Sequence, residues 1–164
     1  MRSIGLCMIV KNESHVIERC LDSVKSVIDY VLVEDTGSTD GTQDIVRAWL
    51  RKHNIAGHVI EEPWQDFAYN RSHAMAALRE VQTVDYALVI DADDEMFLEP
   101  DFDSDAFKRA LRHDFYDVQV RSGSTLFQRA QLCSNKLPFC YKAVLHEFLA
   151  SPEGSTRGTA AGFY

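Results

Sequence analysis

Two aspartates separated by one residue, Asp91 and Asp93, directly follow a short apolar run at residues 87–90. Such a run predicts a buried strand, and open α/β sheets collect their ligands at the carboxyl ends of their strands. Carboxylates this close repel one another unless a cation joins them, and a hard divalent ion shared with substrate phosphates is the natural partner. The alternative is a helix N-terminus, where the helix dipole favours acids. A second acidic loop earlier in the chain favours the cation site.

This second loop, residues 34–42, follows another apolar run and opens a helical pattern. It contains neither the phosphate-binding pattern GxxxxGKS or GxxxxGKT nor the dinucleotide fingerprint GxGxxG. Asp35 comes directly after the apolar run, where its carboxylate can accept a hydrogen bond from a base N–H or a ribose hydroxyl. The alternative is a capped turn in which Asp35, Ser38 and Asp40 bind local backbone amides. Taken alone, the loop leaves both interpretations open.

Three segments occur in a fixed order along the chain: CMIVKNE at residues 7–13, DTGSTDGT at residues 35–42 and DAD at residues 91–93. This ordered set resembles the family 2 glycosyltransferases of the GT-A type, and in particular bacterial members that read MIVKNE, DTGSTDGT, DFAxxRN and DADE. The match covers residues 4–95 well and extends more loosely to about residue 149. The resemblance implies an α/β fold of the Rossmann-like GT-A kind. In that fold a mostly parallel central sheet is flanked by helices, and the nucleotide site lies at the carboxyl ends of the strands.

The same resemblance implies a metal-dependent, inverting glycosyltransferase of the hexosyltransferase type, which moves a sugar from a nucleoside-diphosphate donor to an acceptor hydroxyl. Mg²⁺ or Mn²⁺ would be the cofactor, held by Asp93 against the donor diphosphate. The chemistry agrees, because a nucleoside diphosphate leaves well only when its developing charge is neutralised. A UDP-sugar donor is favoured over a GDP-sugar, and the acceptor is an unknown glycan, peptide or small molecule.

The resemblance also implies a role for each matching residue of the donor site. Glu13 and Asp35 would contact the base and ribose, whereas Val10 and Asn12 would line the nucleotide pocket through backbone or packing. Asp91 would face the ribose or the sugar. The full set of implied donor contacts is Val10, Asn12, Glu13, Asp35, Asn70, Arg71, Asp91 and Ala92.

Asn70 and Arg71 end the segment DFAYNR, residues 66–71. In similar proteins this region supplies an Arg and an Asn to the donor, and an Arg suits a phosphate because its guanidinium binds two oxygens at once. Here the order is Asn–Arg, whereas Arg–Asn is commoner; a surface Arg is the alternative. Just before this segment, Trp64 is expected to be a core or partly buried aromatic like Trp49, or else to line the site.

The pair His146-Glu147 resembles the "HE" of similar transferases. An inverting displacement needs a group that removes the acceptor hydroxyl proton as that hydroxyl attacks the anomeric carbon, and Glu147 is the candidate base. His146 is the candidate metal or diphosphate ligand, because neutral imidazole also serves Mn²⁺-type sites. Many relatives carry an acid–acid pair here instead, and a surface His-Glu pair beside a strand is the alternative.

The elements that must position these residues follow from hydrophobic periodicity. Strands are predicted at residues 4–10, 30–33, 59–60 and 86–90, and they alternate with helical patterns at residues 16–27, 45–50 and 67–81. This alternation predicts a mostly parallel sheet. Asp40 and Gln43 resemble a capping box for the second helix. Beyond residue 100 we expect a helix at 107–111, strands at 116–120 and 124–132, the second a candidate antiparallel strand, and a loop or frayed tail at 151–164.

Length and composition predict one domain over residues 1–164, with a nucleotide-sugar-binding half at 1–100 and a partial acceptor-side half at 101–164. The end lacks the stop signal of a completed domain, so the chain is expected to be truncated at its C-terminus. A net charge of −8 argues against nucleic acid as a partner. The first ten residues are too short an apolar run to span a bilayer, no transmembrane segment is expected, and a cytoplasmic protein follows. Cys7 and Cys20 are expected to be reduced core thiols.

Two other functions compete with this interpretation. A nucleotidyltransferase usually carries a glycine-rich loop with a basic residue after the first strand, and the glycine-free segment Lys11-Asn12-Glu13 disfavours it. The second is a nucleotide-sugar-binding fragment without efficient transfer. Binding of the donor without turnover would distinguish this fragment from the transferase.

Overall fold

A computed structural model describes residues 1–143 and 147–164. Its strands are β1 Ile4–Val10, β2 Tyr30–Asp35, β3 Ala56–Glu61, β4 Tyr86–Val89, β5 Phe115–Ser122, β6 Thr125–Ser134, β7 Cys140–Lys142, β8 Phe148–Ala150 and β9 Arg157–Thr159. Its helices are α1 Ile17–Val24, α2 Thr42–His53, α3 Phe67–Arg79 and α4 Ser104–Ala110.

A seven-stranded sheet runs through these residues in the order β3-β2-β1-β4-β6-β5-β9, and β7 and β8 form a separate antiparallel pair. The strands β3, β2, β1 and β4 are parallel neighbours, so their carboxyl ends meet at one edge. β6 then runs antiparallel to both β4 and β5, and β9 is parallel to β5. The predicted α/β class with a mostly parallel central sheet is confirmed.

The central parallel strands β1, β2 and β4 are buried on both faces because helices cover both sides of the sheet, whereas the edge strand β3 is partly exposed. Leu6 and Met8 of β1 pack into the cluster that contains the buried face of α1 and Trp49 of α2. Cys7, between them, packs on the opposite side with Met75 and Leu78 of α3. The alternation along β1 therefore divides the core into two layers.

Several elements differ in length from their predictions, and α1 and β2 are the two nearest the predicted site residues. α1 ends at Val24, because the amides of Val27 and Ile28 both turn back to the Val24 carbonyl. Val27 is nevertheless buried, so its apolar spacing reflects core packing outside a helix. β2 continues to Asp35 because its ladder with β1 extends to the pair formed by Val10 and Asp35.

The predicted capping box at Asp40 and Gln43 is wrong. α2 begins after Gly41, whose φ of 89° places it in the left-handed region that glycine adopts without strain. The Asp40 carboxylate accepts hydrogen bonds from the Thr42 hydroxyl, the Thr42 amide and the Ser14 amide. These bonds, the Thr42 hydroxyl first, hold the pKa of Asp40 well below its ordinary value. Asp40 thus ties α2 to the segment before α1.

The prediction of a loop or frayed tail at residues 151–164 is also wrong in part. This segment contributes β9, which pairs with β5 between Arg157 and Phe115 at one end. Phe163 is buried, with its ring centroid 5.2 Å from that of Phe107 and 5.6 Å from that of Phe102. The order of the segment comes from these distant contacts, which local composition does not encode.

Cys7, Cys20 and Cys133 are free and buried, which agrees with the prediction of core thiols for the first two. Burial raises the pKa of Cys20 and of Cys133 to about 12, so both stay protonated at neutral pH. Across the described ranges, each helix is too short or too polar to cross a membrane.

The junction between α3 and β4 offers a test of the fold. The buried Asn135 amide donates to the Leu78 and Val84 carbonyls, at 3.0 and 3.3 Å. We expect Asn135→Ala to lower the free energy of unfolding in urea by about 1–3 kcal/mol, because buried hydrogen bonds are lost. The neighbouring Lys136 also donates to a carbonyl, that of Gln82, but it is exposed.

Lys136→Ala is therefore the matched control, and its effect should stay within about 0.5 kcal/mol. Equal effects of the two variants would contradict the assignment of Asn135 as a buried support of this junction.

Candidate active site

A cleft of about 530 Å³ opens at the edge where β1, β2 and β4 end. Six predicted residues line it: Val10, Glu13, Arg71, Asp91, Ala92 and Asp93. Lys11, Thr36, Trp64 and Phe67 also line it without having been predicted as ligands, although Trp64 was given this as one of its alternatives. The parallel strands bring segments far apart in the sequence to one place, as expected for the carboxyl edge of an open sheet.

Arg71 is the central charged group of this cleft. Its side chain is only 4% exposed, and Nη2 donates to Asp91 Oδ1 at 2.6 Å. Nε lies 3.4 Å from Oε1 of Glu147, which immediately precedes β8. Burial pushes the pKa of Arg71 down, but the neighbouring Asp91 carboxylate outweighs it and raises the pKa above its ordinary value. One buried cation therefore joins the first aspartate of the DxD segment to the candidate base.

The acids after β4 differ in their surroundings. Asp91 Oδ2 lies 3.9 Å from Nη1 of Arg129 on β6, so Asp91 faces two guanidinium groups. Asp94 Oδ2 accepts a hydrogen bond from the Asp91 amide, and burial raises the pKa of Asp94. Asp93 is exposed and lines the cleft. Sequence reasoning missed Arg129, since a charged residue within a predicted strand gives no local signal of its partner.

The positions of these acids show which of them could ligate a divalent cation. Among the described residues, no three His, Cys, Asp or Glu side chains are grouped closely enough to hold a metal by themselves. Mg²⁺ commonly binds through one or two carboxylates, completed by substrate phosphates and water. The exposed Asp93 carboxylate fits that pattern, whereas Asp91 is already engaged by Arg71. The other predicted ligand, His146, lies outside the described residues.

Asp35 is buried at the end of β2, next to the cleft residue Thr36. Its Oδ1 accepts hydrogen bonds from the Gly37 and Ser38 amides, at 2.9 and 2.8 Å. Although burial pushes the pKa of Asp35 up, the bonds from Ser38 and Gly37, together with the nearby Gln43 side chain, outweigh it and lower the pKa. Oδ2 is also buried and has no hydrogen-bond partner among residues 1–143 and 147–164. A buried acceptor without a partner is costly, and a ligand N–H or O–H would satisfy it.

Asn70 is buried in a network of its own, one residue before Arg71. Its Nδ2 donates to Glu34 Oε1 at 2.8 Å and to the Pro63 carbonyl at 3.2 Å, while Oδ1 accepts from the Gln65 amide at 2.9 Å. Both hydrogens of its Nδ2 are engaged in these bonds, and the side chain is completely buried. Asn70 thus supports the wall of the cleft, and its predicted contact with the donor stays a prediction.

Glu34 begins the acidic loop at residues 34–42, and the sequence assigned it no role. It is completely buried, and His73 Nδ1 lies 2.7 Å from its Oε2. Burial raises the pKa of Glu34 above its ordinary value. Its position directly after an apolar run indicates burial. Its partners Asn70 and His73 lie in α3, so the local sequence does not predict them.

Asn12 and Glu13 lie where β1 turns into α1. Asn12 has a φ of 57°, and its Oδ1 accepts a hydrogen bond from the Thr39 amide while its own amide donates to Ser38 Oγ. The Glu13 amide donates to Thr42 Oγ1, and Glu13 lines the cleft. Asn12 therefore fixes the loop after β2, and Glu13 is the one of the two placed to meet a ligand.

The fold, and the position of the cleft at the carboxyl ends of the strands, agree with the known proteins that this chain resembles. The family model of Glycosyl transferase family 2 matches residues 6–148, and the chain belongs to this family. A TPR repeat-containing protein of Synechococcus elongatus is 39% identical over 100 residues, which cover 60% of this chain and 22% of that protein. An uncharacterized glycosyltransferase of Rickettsia prowazekii is 35% identical over 96 residues, covering 58% of this chain and 30% of that protein. The chain thus matches less than a third of the length of these relatives.

Solved structures share the architecture. S. aureus TarS, residues 1–349, aligns with a TM-score of 0.59 at 20% identity, over 75% of this chain and 37% of that one. The mannosyltransferase PcManGT from Pyrobaculum calidifontis, solved with GDP-Man and Mn²⁺, aligns with a TM-score of 0.55 at 26% identity, over 74% and 36% of the two chains. The predicted family and GT-A fold are confirmed.

The low pKa of Asp35 makes a prediction about stability. Its ionised form is favoured in the folded protein, so its contribution is present above the ordinary pKa of 3.8 and is lost as the pH falls through the lower folded value. We expect Asp35→Asn to be less stable than the wild type at pH 7, as measured by urea unfolding. This difference should shrink below pH 3.8, whereas a difference independent of pH would show that the charge of Asp35 does not contribute.

Proposed function

We propose that this chain forms the donor-binding part of a metal-dependent, inverting glycosyltransferase that moves a sugar from a nucleoside diphosphate to an acceptor hydroxyl. The observation that carries the proposal is the convergence at Arg71. Its buried guanidinium binds Asp91 and lies next to Glu147, in the cleft that the exposed Asp93 also lines. These contacts support the proposal, because one buried cation connects the first acid of the DxD segment with the candidate base.

The donor would lie along the sheet edge, with its nucleoside over β2 and its diphosphate at β4. The unpartnered Oδ2 of Asp35 suits a base N–H or ribose hydroxyl, and Glu13 and the end of β1 at Val10 form the adjoining wall. Arg71 Nη1 is buried and has no hydrogen-bond partner among the described residues, so it remains available to a phosphate oxygen. TarS has been solved with UDP and PcManGT with GDP-Man, and a nucleoside-diphosphate sugar is the donor class these neighbours support.

Asp93 would hold Mg²⁺ or Mn²⁺, with His146 as the second candidate ligand. Bound there, the cation would neutralise the charge that develops on the departing diphosphate. Arg71 contributes a fixed positive charge to the same group without reorganisation, which is how preorganised sites stabilise a leaving group.

Glu147 would act as the general base. The acceptor oxygen forms a bond to the anomeric carbon, its proton passes to the Glu147 carboxylate, and the nucleoside diphosphate leaves with the electrons of the broken C–O bond. Attack from the face opposite the leaving group inverts the anomeric carbon. A second cavity, of about 430 Å³, adjoins the other side of Asp93 and includes Gln119 and Arg121, and it is our candidate for the acceptor, a glycan, peptide or small molecule.

Two alternative functions, nucleotidyl transfer and donor binding without efficient transfer, compete with this proposal. The fold aligns with 4-diphosphocytidyl-2C-methyl-D-erythritol synthase at a TM-score of 0.50 and 15% identity, which is a likeness of fold alone. The glycine-free segment after β1 still disfavours nucleotidyl transfer. A fragment that binds donor without efficient transfer is the second candidate, because the chain matches under a third of its relatives' length. The division at residue 100 and a cytoplasmic location stay predictions.

Calorimetric titration of UDP and of GDP, with Mn²⁺ and then with EDTA, tests donor binding. We expect one nucleotide, with UDP favoured, to bind in a metal-dependent manner. Asp93→Asn should weaken that binding by about 10- to 100-fold, because a charged ligand to the metal is lost. Asp101→Asn, an exposed aspartate outside the cleft, is the control and should bind normally. Unchanged affinity in Asp93→Asn would remove the metal role from this residue.

A separate prediction concerns Glu147. Glu147→Gln should bind donor normally, while turnover falls by about two to four orders of magnitude if the carboxylate is the general base. Because the proposal names no single acceptor, turnover is measured as the release of UDP from a UDP-sugar, with either a candidate acceptor or water as the attacking hydroxyl. The exposed Glu153 provides the control Glu153→Gln. Near-normal turnover in Glu147→Gln would place the base elsewhere.

A further inference from the structure

Two large aromatic rings remain exposed inside the cleft. Trp64 is 43% exposed and Phe67 is 47% exposed, and both line the cleft that Asp93 also lines. Their ring centroids are 4.8 Å apart with an interplanar angle of 82°, the edge-to-face arrangement that aromatic pairs favour. Leaving apolar rings in water costs free energy that a flat ligand would recover on binding.

Hydrogen bonds hold the backbone on both sides of Trp64. Asn70 accepts from the amide of Gln65 and donates to the carbonyl of Pro63, the two residues that flank Trp64. The same Asn70 amide donates to the buried Glu34. A fully buried side chain thus fixes the backbone segment that carries the exposed ring.

The position of Trp64 corresponds to the nucleoside end of the cleft. The amide of Glu62 donates to the Asp35 carbonyl at 3.1 Å, so the segment that carries Trp64 runs beside the end of β2. At the other end of the aromatic pair, the guanidinium of Arg71 lies 5.8 Å from the centroid of Phe67. The segment that carries Trp64 therefore leaves the end of β2, and Phe67 lies next to Arg71.

We propose that Trp64 is the stacking surface for the base of the donor nucleotide and that Phe67 supports the indole from its edge. The inference deepens the proposed function and rests on it. The buried, unpartnered Oδ2 of Asp35 would take a hydrogen bond from the ligand while the indole covers the face of the base. Stacking on an aromatic ring contributes affinity without choosing between bases, so Trp64 supplies affinity and Asp35 supplies polar recognition.

The chain offers a direct optical test, because it has two tryptophans in opposite surroundings. Trp49 is 1% exposed and donates through Nε1 to Asp22, whereas Trp64 faces the cleft. UDP or GDP with Mn²⁺ should quench the tryptophan fluorescence of the wild type. Trp64→Phe retains only the buried Trp49, and its fluorescence should not respond to nucleotide.

Calorimetry with two probes separates stacking from a structural role. Trp64→Ala should raise the Kd for the bound nucleotide by about 5- to 150-fold, the range for loss of one stacked base. Trp64→Phe should stay within about fivefold of the wild type, since it keeps an aromatic face. Pyrophosphate with Mn²⁺, which lacks a base, should bind all three proteins alike, and the urea midpoint of Trp64→Ala should equal that of the wild type.

The results separate the stacking inference from the proposed function. If the wild type binds UDP or GDP while Trp64→Ala binds equally well, the stacking inference is overturned and the proposed function stands. An equal loss of pyrophosphate binding in Trp64→Ala would also overturn it, because that loss would show a collapsed cleft. If neither nucleotide binds the wild type, the proposed function and the stacking inference fail together.

Discussion

The candidate site depends on one buried cation. A guanidinium removed from water is tolerated only when carboxylates compensate it, and Arg71 has Asp91 on one side and Glu147 on the other. This requirement joins three parts of the chain: α3, the end of β4 and the residue before β8. Without the cation, the Asp91 and Glu147 carboxylates would lose the guanidinium that joins them, leaving the more distant Arg129 beside Asp91. The pairing of Arg71 therefore holds Asp91 and Glu147, the two residues on which the proposed leaving-group and base roles depend.

A second buried network sets the other end of the cleft. Glu34 and Asn70 share a hydrogen bond in the interior, and from there Asn70 fixes the backbone around Trp64. Asn70 and Arg71 are adjacent in α3, yet Asn70 bonds to Glu34 of β2 and to the backbone around Trp64, whereas Arg71 bonds to Asp91 after β4. The unusual order of these two residues within the segment DFAYNR is thus compatible with a site in which both are used, Asn70 as a support and Arg71 as a direct participant.

The parts of the structure that follow local periodicity were predictable from sequence. β1 was predicted with its observed bounds, and the placement of Asp35 and Asp91 at one edge follows from parallel pairing alone. Contacts between distant segments were not predictable: Arg129 reaches Asp91 from an antiparallel strand, and β9 is ordered by pairing with β5. Local hydrogen bonding also overrode a sequence pattern at Asp40, whose carboxylate binds Thr42 and Ser14 where a capping box was expected.

The most direct test of the donor site is a crystal structure of the protein with UDP and Mn²⁺. The nucleotide should lie in the cleft with its nucleoside donating to Asp35 Oδ2, its diphosphate next to Arg71, and the metal between that diphosphate and Asp93. A nucleotide bound elsewhere on the molecule, or one in the cleft that leaves Asp35 Oδ2 unpartnered and the metal away from Asp93, would contradict the assignment of this edge of the sheet as the donor site.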